Sequence, residues 1–198
     1  MKKAIKKHLL FVAVLVTMVN YASNVSPLND EGSIKKTILT LNNVKKGQSL
    51  LIKDSSQVIL YKEQITESGN YKKGFDLTEL PNGDYYFELN KDVEIEIIPF
   101  NVHFNVVSFD KAKKEQIFKP YVSAKNNTVF VSTISLEAEP VELSIYYEND
   151  GVMELIYDQT ITNLINIQKA YVLDNSEKGR YLFLIKTQNR TFKNFITL

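Results

Sequence analysis

The chain has 198 residues, with 24 Lys and Arg against 23 Asp and Glu, a formal charge of +1, no cysteine and no tryptophan. Without cysteine there is no disulfide to staple the fold, no thiol nucleophile and no Cys-based zinc site. The near-neutral balance gives no basic footprint for nucleic acid.

The first residues are basic, with Lys2, Lys3, Lys6 and Lys7, and an apolar run follows over 9–19, interrupted at Thr17. Small residues Ala22 and Ser23 come next. This order reads as a secretory signal peptide over 1–23, and the apolar run is too short for a comfortable membrane span of roughly 20 residues. Cleavage near Ala22 or Ser23 removes four lysines and no acid, leaving 20 basic against 23 acidic residues, a formal charge of −3. No stable membrane span is expected after cleavage. The stretch 24–33 is polar and lacks periodicity, so it is expected to be a flexible leader.

From Thr37 onward the pattern is β. Thr37-Ile38-Leu39-Thr40-Leu41, Leu50-Leu51-Ile52 and Val58-Ile59-Leu60-Tyr61 read as strands, with Asp54-Ser55-Ser56-Gln57 as a hairpin turn. The stretch 71–77 is a strand, Pro81-Asn82-Gly83-Asp84 a turn, and 84–89 the next strand, with Glu88 expected in water. Over 93–97 the alternation predicts Val93, Ile95 and Ile97 inward and Glu94 and Glu96 in water. Val102, Phe104 and Val106 alternate with His103 and Asn105, predicting one more strand. The polar segment 110–119 reads as a connection that could carry one helical turn.

The plan then repeats. Segments 61–89 and 157–185 align without a gap at Tyr61/Tyr157, Ile65/Ile161, Thr66/Thr162, Asn70/Asn166, Lys73/Lys169, Leu77/Leu173, Gly83/Gly179, Tyr85/Tyr181 and Phe87/Phe183. Strands are also expected at Thr128-Val129-Phe130-Val131-Ser132, at 141–146 with Val141, Leu143 and Ile145 on one face, at 153–157, at 181–185 and at 191–198, with Glu148-Asn149-Asp150-Gly151 as a hairpin turn. No window shows a helical stripe. The expected architecture is all-β: two tandem small immunoglobulin-like β-sandwich domains after a signal peptide, over 34–109 and 120–198, joined by a linker over 110–119.

Little catalytic chemistry is available. His103 is the only histidine beyond the leader and sits on the polar phase of its strand. Glu94 and Glu96 stand about 7 Å apart on one strand face, a separation that two-carboxylate glycosidases use, but one that any amphipathic strand also shows. Glu137, Glu139 and Glu142 surround Pro140 as loop acids, and Glu148-Asn149-Asp150-Gly151 lacks the remaining ligands of a calcium loop. The lysine pairs Lys35-Lys36, Lys45-Lys46 and Lys72-Lys73 read as solvated strand ends. Gly83 and Gly179 are expected to supply positive φ at a corner. No catalytic, cofactor-binding or metal-binding residue is assigned, and no cofactor is expected.

The second unit resembles the C-terminal sorting domains of type IX secretion substrates. The resemblance rests on Pro120, Asn127-Thr128-Val129-Phe130-Val131, Gly151, Leu173, Gly179, Tyr181, Phe183 and Thr191-Phe192-Lys193-Asn194-Phe195-Ile196. In the first unit Leu77-Thr78-Glu79-Leu80-Pro81-Asn82-Gly83-Asp84-Tyr85-Tyr86-Phe87 matches the same signature. The resemblance implies an immunoglobulin-like fold and a sorting role. Two departures from the family are read in the sequence: no separate cargo domain is expected, and the final strand carries a single Lys193.

The function expected is that of an exported, non-enzymatic protein in the periplasm, at the cell surface or outside the cell, with a structural or interaction role and a protein or glycan partner. One alternative is a small type IX cargo whose last unit is its sorting signal. Another is a carbohydrate-binding module, for which Tyr86, Tyr121 and Tyr146 are the candidate aromatics.

Overall fold

The computed structural model describes residues 25–27, 36–173 and 178–198. The expected signal peptide over 1–23 lies outside them. Two small β-sandwiches follow one another, each with its own hydrophobic core. The first is built from β1 (Val25–Pro27), β2 (Thr37–Val44), β3 (Ser49–Asp54), β4 (Ile59–Gln64), β5 (Gly69–Phe75), β6 (Gly83–Asn90) and β7 (Glu94–His103), extended by β8 (Val106–Phe109) and β9 (Glu115–Phe118). The second comprises β10 (Tyr121–Lys125), β11 (Thr128–Ile134), β12 (Val141–Asn149), β13 (Val152–Ile161), β14 (Asn166–Val172), β15 (Arg180–Thr187) and β16 (Arg190–Thr197). One 3-10 turn, Lys111–Lys113, is capped by the Asp110 side chain, and no α-helix occurs among the described residues. Accordingly, no helix there is long and apolar enough to cross a membrane.

The sheet orders are β1-β2-β5 against β4-β3-β6-β7 in the first unit, and β10-β11-β14 against β13-β12-β15-β16 in the second. Every pairing is antiparallel. The strand plan is therefore the same seven-strand immunoglobulin-like sandwich used twice, with three strands facing four. Period-2 alternation fills each core. Leu50, Ile52, Phe87, Leu89, Ile98 and Phe100 point inward in the first unit, as do Leu143, Ile145, Phe183 and Ile185 in the second. Fully burying one such side chain contributes about 1.5–3 kcal/mol.

The repeat extends to side-chain geometry. Tyr61 meets Phe75 edge-on at 5.4 Å, and Phe75 meets Phe87 at 5.2 Å. At the matching positions Tyr157 meets Tyr171 at 5.4 Å, and Tyr171 meets Phe183 at 6.2 Å. Both fourth strands also carry a bulge at the same place. Ile52 pairs with Tyr61 and Lys53 with Ile59, leaving Leu60 extra; Ile145 pairs with Tyr157 and Tyr146 with Leu155, leaving Ile156 extra. At the corner into β6 the Tyr85 hydroxyl donates to the Pro81 carbonyl at 2.8 Å, the tyrosine corner of such sandwiches.

Several expectations are corrected. Within the supposed flexible stretch 24–33, Val25–Pro27 pairs with β2 as an edge strand, a place where the missing N–H of Pro27 is tolerated. The connection 110–119 contains β9, which pairs with Glu94–Ile97 of β7 because Ile117 packs beside Ile95, both buried. The supposed strand through Val102, Phe104 and Val106 is a hairpin. Phe104 and Asn105 take φ of 47° and 59°, a two-residue turn, and Phe104 is 76% exposed. Apolar alternation ran straight through that turn and concealed it. Val93 lies before β7 and is 69% exposed, while Ile95 and Ile97 fall on the phase of Glu88, away from the first core. Glu94 and Glu96 pair with Lys91 at 2.7 and 3.0 Å instead of standing free in water. Gly83 and Gly179 do not have positive φ; Gly47, Gly69 and Gly151 do. The constraint at Gly179 is space, because a Cβ there would lie 2.7 Å from Tyr147 Cε2.

Candidate interaction surface

Strand alternation gives each four-stranded sheet an outer face. In the first unit that face carries Leu51, Lys53, Tyr86, Glu88, Ile97 and Pro99, and most of it is covered. Glu88 was expected in water, yet it is 3% exposed. Its Oε2 accepts from Lys53 Nζ at 2.8 Å, on the neighbouring strand, and from Arg190 Nη2 at 2.7 Å, in the second unit. Burial alone would raise the Glu88 pKa, but the hydrogen bonds and charges of Lys53 and Arg190 outweigh it and hold the carboxyl below its ordinary value.

The local fold explains why Arg190 arrives there. Gln188 and Asn189 take φ of 49° and 55°, making a two-residue turn between β15 and β16, and Arg190 is the first residue after it. That turn and the loop 135–139 form one end of the second sandwich, and this end rests on the outer face of the first. Between the two lies a cleft of about 700 Å³, with Tyr86, Pro99 and Lys113 on one side and Glu137, Glu139 and Arg190 on the other. Burial, then the Glu88 charge, raises the Tyr86 pKa, with Arg190 opposing.

Among the described residues nothing covers the corresponding face of the second unit. One register row crosses all four strands: Leu155 opposite Tyr146, Tyr146 opposite Leu182, and Leu182 opposite Phe195. Phe183 and Ile185 point into the core, so Leu182 and Leu184 lie on the outer side with this row. Leu155 is 54% and Phe195 46% exposed, and Ile156 adds to the patch at the bulge. Arg180 bounds one side, its guanidinium 4.1 Å from the Phe195 ring centre and 3.3 Å from Glu148. Lys193 and Asp158, opposite Leu184 and Ser144, bound the other. An apolar centre with a charged rim of both signs is the anatomy of a protein-binding surface.

A second polar cluster sits at the seam between the first unit's sheets. Glu63 accepts from Tyr61, Tyr71 and Lys73. Burial opposes its ionisation, but these three bonds win and lower its pKa. Burial and then the hydrogen bond to Glu63 raise the Tyr71 pKa. In the second unit Gln159 and Ile167 take the places of Glu63 and Tyr71, so the cluster belongs to one copy only.

The remaining sequence candidates do not converge. His103 is exposed at the end of β7, beside Phe104 at 4.4 Å. The tip it shares is pinned, with the Phe104 N–H donating to Asn82 Oδ1 at 2.8 Å. Glu142 stands 3.8 Å from Lys186, and Asp150-Gly151 forms the expected hairpin turn. Among the described residues no group of three His, Asp or Glu could hold a metal ion. Tyr86, Tyr121 and Tyr146 stand on three different sheets. Sequence reading missed Glu88 and Arg190, since an acid on an outer strand face signals water unless the neighbouring body is known. It also missed the open row, whose four members come from four separate strands.

No protein-family model matches the chain, and no curated protein matches it. Among solved structures, the chicken interferon gamma receptor alpha chain is similar to this chain. It has 10% sequence identity, covers 89% of this chain and 97% of that one, and gives a TM-score of 0.30.

Proposed function

We propose that the chain is an exported, non-enzymatic interaction or structural protein of the bacterial envelope or cell exterior, built of bodies over 34–109 and 120–198 behind a cleaved leader over 1–23. The observation that carries this reading is the open apolar row Leu155-Tyr146-Leu182-Phe195 with its mixed-charge rim. Its support is the Glu88 joint, which fixes one sandwich against the other and so presents the row on a body of defined shape. The test places a photo-cross-linking residue at position 155 in the producing cell, and another at exposed Lys72 as control. Discrete cross-linked products from the envelope or medium at 155 alone are expected. Absence of products at 155, or a protein retained in the cytoplasm, overturns the reading.

A second reading, a small type IX cargo sorted by 120–198, is favoured by Leu173, Gly179, Tyr181 and Phe183. These stand in the second unit as in the family signature, with β16 at a sheet edge. Fusing 120–198 behind a leader and a fluorescent reporter tests it. Surface delivery in a type IX-competent host supports sorting, and retention in the periplasm removes it.

A further inference from the structure

We propose that the outer face of β13-β12-β15-β16 is a self-association surface, occupied by the loop end of the first unit of a second copy of this chain. The inference rests on the interaction reading above and names its partner.

The argument starts from the repeat. The row Leu155-Tyr146-Leu182-Phe195 has a direct equivalent in the first unit, Ile59 opposite Lys53, Lys53 opposite Tyr86, and Tyr86 opposite Pro99. Within the chain that equivalent face already has an occupant. It is the end of a sandwich, made by the connection between the second and third strands, 135–139, and by the Gln188-Asn189 turn between the sixth and seventh, with Arg190 reaching Glu88. The molecule thus shows which object covers this face when it is covered. On the second unit the same face has no such cover among the described residues, and its row is more apolar, with Tyr146, Leu182 and Phe195 where the first unit has Lys53, Tyr86 and Pro99.

Every copy also carries a second such end, crossed at one side by the connection to its own second unit, where the Lys119 N–H donates to the Val93 carbonyl at 2.9 Å. In the first unit the connection after β2 and the turn between β6 and β7 bring together Lys45 and Asp92, paired at 2.9 Å and well exposed, beside Val93, which is 69% exposed. An exposed valine flanked by a lysine and an aspartate complements an apolar row flanked by Arg180, Glu148, Lys193 and Asp158. A strongly acidic or strongly basic partner would fit neither rim. The charge lock itself is not reproduced, because Leu184 stands at the Glu88 position and Glu94 at the Arg190 position. The contact is therefore weaker than the internal joint and reversible. Because the end of one copy meets the face of another, it is heterologous and propagates into a ring or an open chain.

Sedimentation velocity on the purified leader-free chain tests this between about 1 and 100 µM, the range of weak specific contacts. The expected result is a weight-average sedimentation coefficient that rises with concentration. Leu155→Lys and Val93→Asp, both at exposed positions, are each expected to lower the association constant at least tenfold with an unchanged denaturation midpoint. Because the chain has no cysteine, introduced thiols report the geometry cleanly. A mixture of Val93→Cys and Leu155→Cys proteins is expected to form disulfide-linked pairs, and neither protein alone should do so. A single monomeric species across the range overturns the proposal, even if cross-links at 155 persist in the cell and leave the interaction reading standing. Association that survives Leu155→Lys, or pairs formed by Leu155→Cys alone, overturns it as well.

Discussion

Arg190 and Glu88, 102 residues apart in sequence, form a 2.7 Å charge-assisted hydrogen bond between the two sandwiches, and Lys53 completes the cluster on the same carboxylate oxygen. Removing either basic partner leaves a buried carboxylate with one counter-ion. Removing the carboxylate leaves two cations facing each other.

Arg190→Ala is expected to lower stability by about 1–3 kcal/mol, less than the loss of a sole partner because Lys53 remains. Glu88→Leu, which copies the second unit, should cost more than Arg190→Ala. Denaturant titration measures both, and small-angle scattering of Arg190→Ala should show a larger maximum dimension as the joint loosens. An unchanged dimension would mean that the cleft-lining contacts hold the units without the ion pair.

The pH dependence has a definite sign. The Glu88 pKa is lowered in the folded protein, so its contribution is fully present above the unfolded carboxylate value of about 4.3 and is lost as pH falls through the folded value. Glu88→Gln should therefore be less stable than the native chain at pH 7, and the difference should shrink as pH falls below about 4.3. Denaturation midpoints of the two proteins between pH 7 and pH 3 check this. A constant gap across the range would separate the loss from ionisation.

Gly179 and Gly83 occupy the same corner of the repeat but answer differently to substitution. A Cβ at Gly179 meets the Tyr147 ring at 2.7 Å, whereas at Gly83 it makes ordinary contacts of 3.5 Å and beyond with Tyr85. Gly179→Ala is expected to cost about 1–3 kcal/mol by overpacking, and Gly83→Ala less than about 0.5 kcal/mol. The cost at Gly179 should shrink in a Tyr147→Leu background, as a double-mutant cycle would show.

The Tyr171 hydroxyl is buried with no hydrogen-bond partner among the described residues, and burial followed by nearby Tyr157 raises its pKa. The first unit has Phe75 at this position, in the same ring stack. Tyr171→Phe is therefore expected to be neutral or to stabilise by up to about 1 kcal/mol, since an unpaired buried hydroxyl costs about 1–3 kcal/mol. A lower unfolding midpoint would reveal a partner for that hydroxyl.

Much of the architecture was legible because it is local. Alternation at Val141, Leu143 and Ile145 and the Asp150-Gly151 turn are properties of a few neighbouring residues, and the gapless match of 61–89 with 157–185 reports one strand plan used twice. The failures share a different cause. Glu88 and Ile97 lie on a face whose burial comes from the other sandwich, so the usual polar-means-water rule inverted. Phe104 lies in a two-residue turn that keeps the alternation in step, so its period still looked like a strand. At Gly179 the requirement is the approach of Tyr147, which comes from the neighbouring strand β12, far away in sequence, and glycine by itself suggested a φ constraint.

The connection between the units has a mechanical consequence. It leaves the first sandwich through β9, whose last residue, Phe118, pairs with Glu94 at the start of β7. Tension applied through the second unit would pull on that end of β9 and open its pairings with β7 one after another, like a zipper. The Arg190 clamp spans the same gap by a separate route. The load would divide between a strand that peels and a clamp that must break at once, so the joint would yield in two stages.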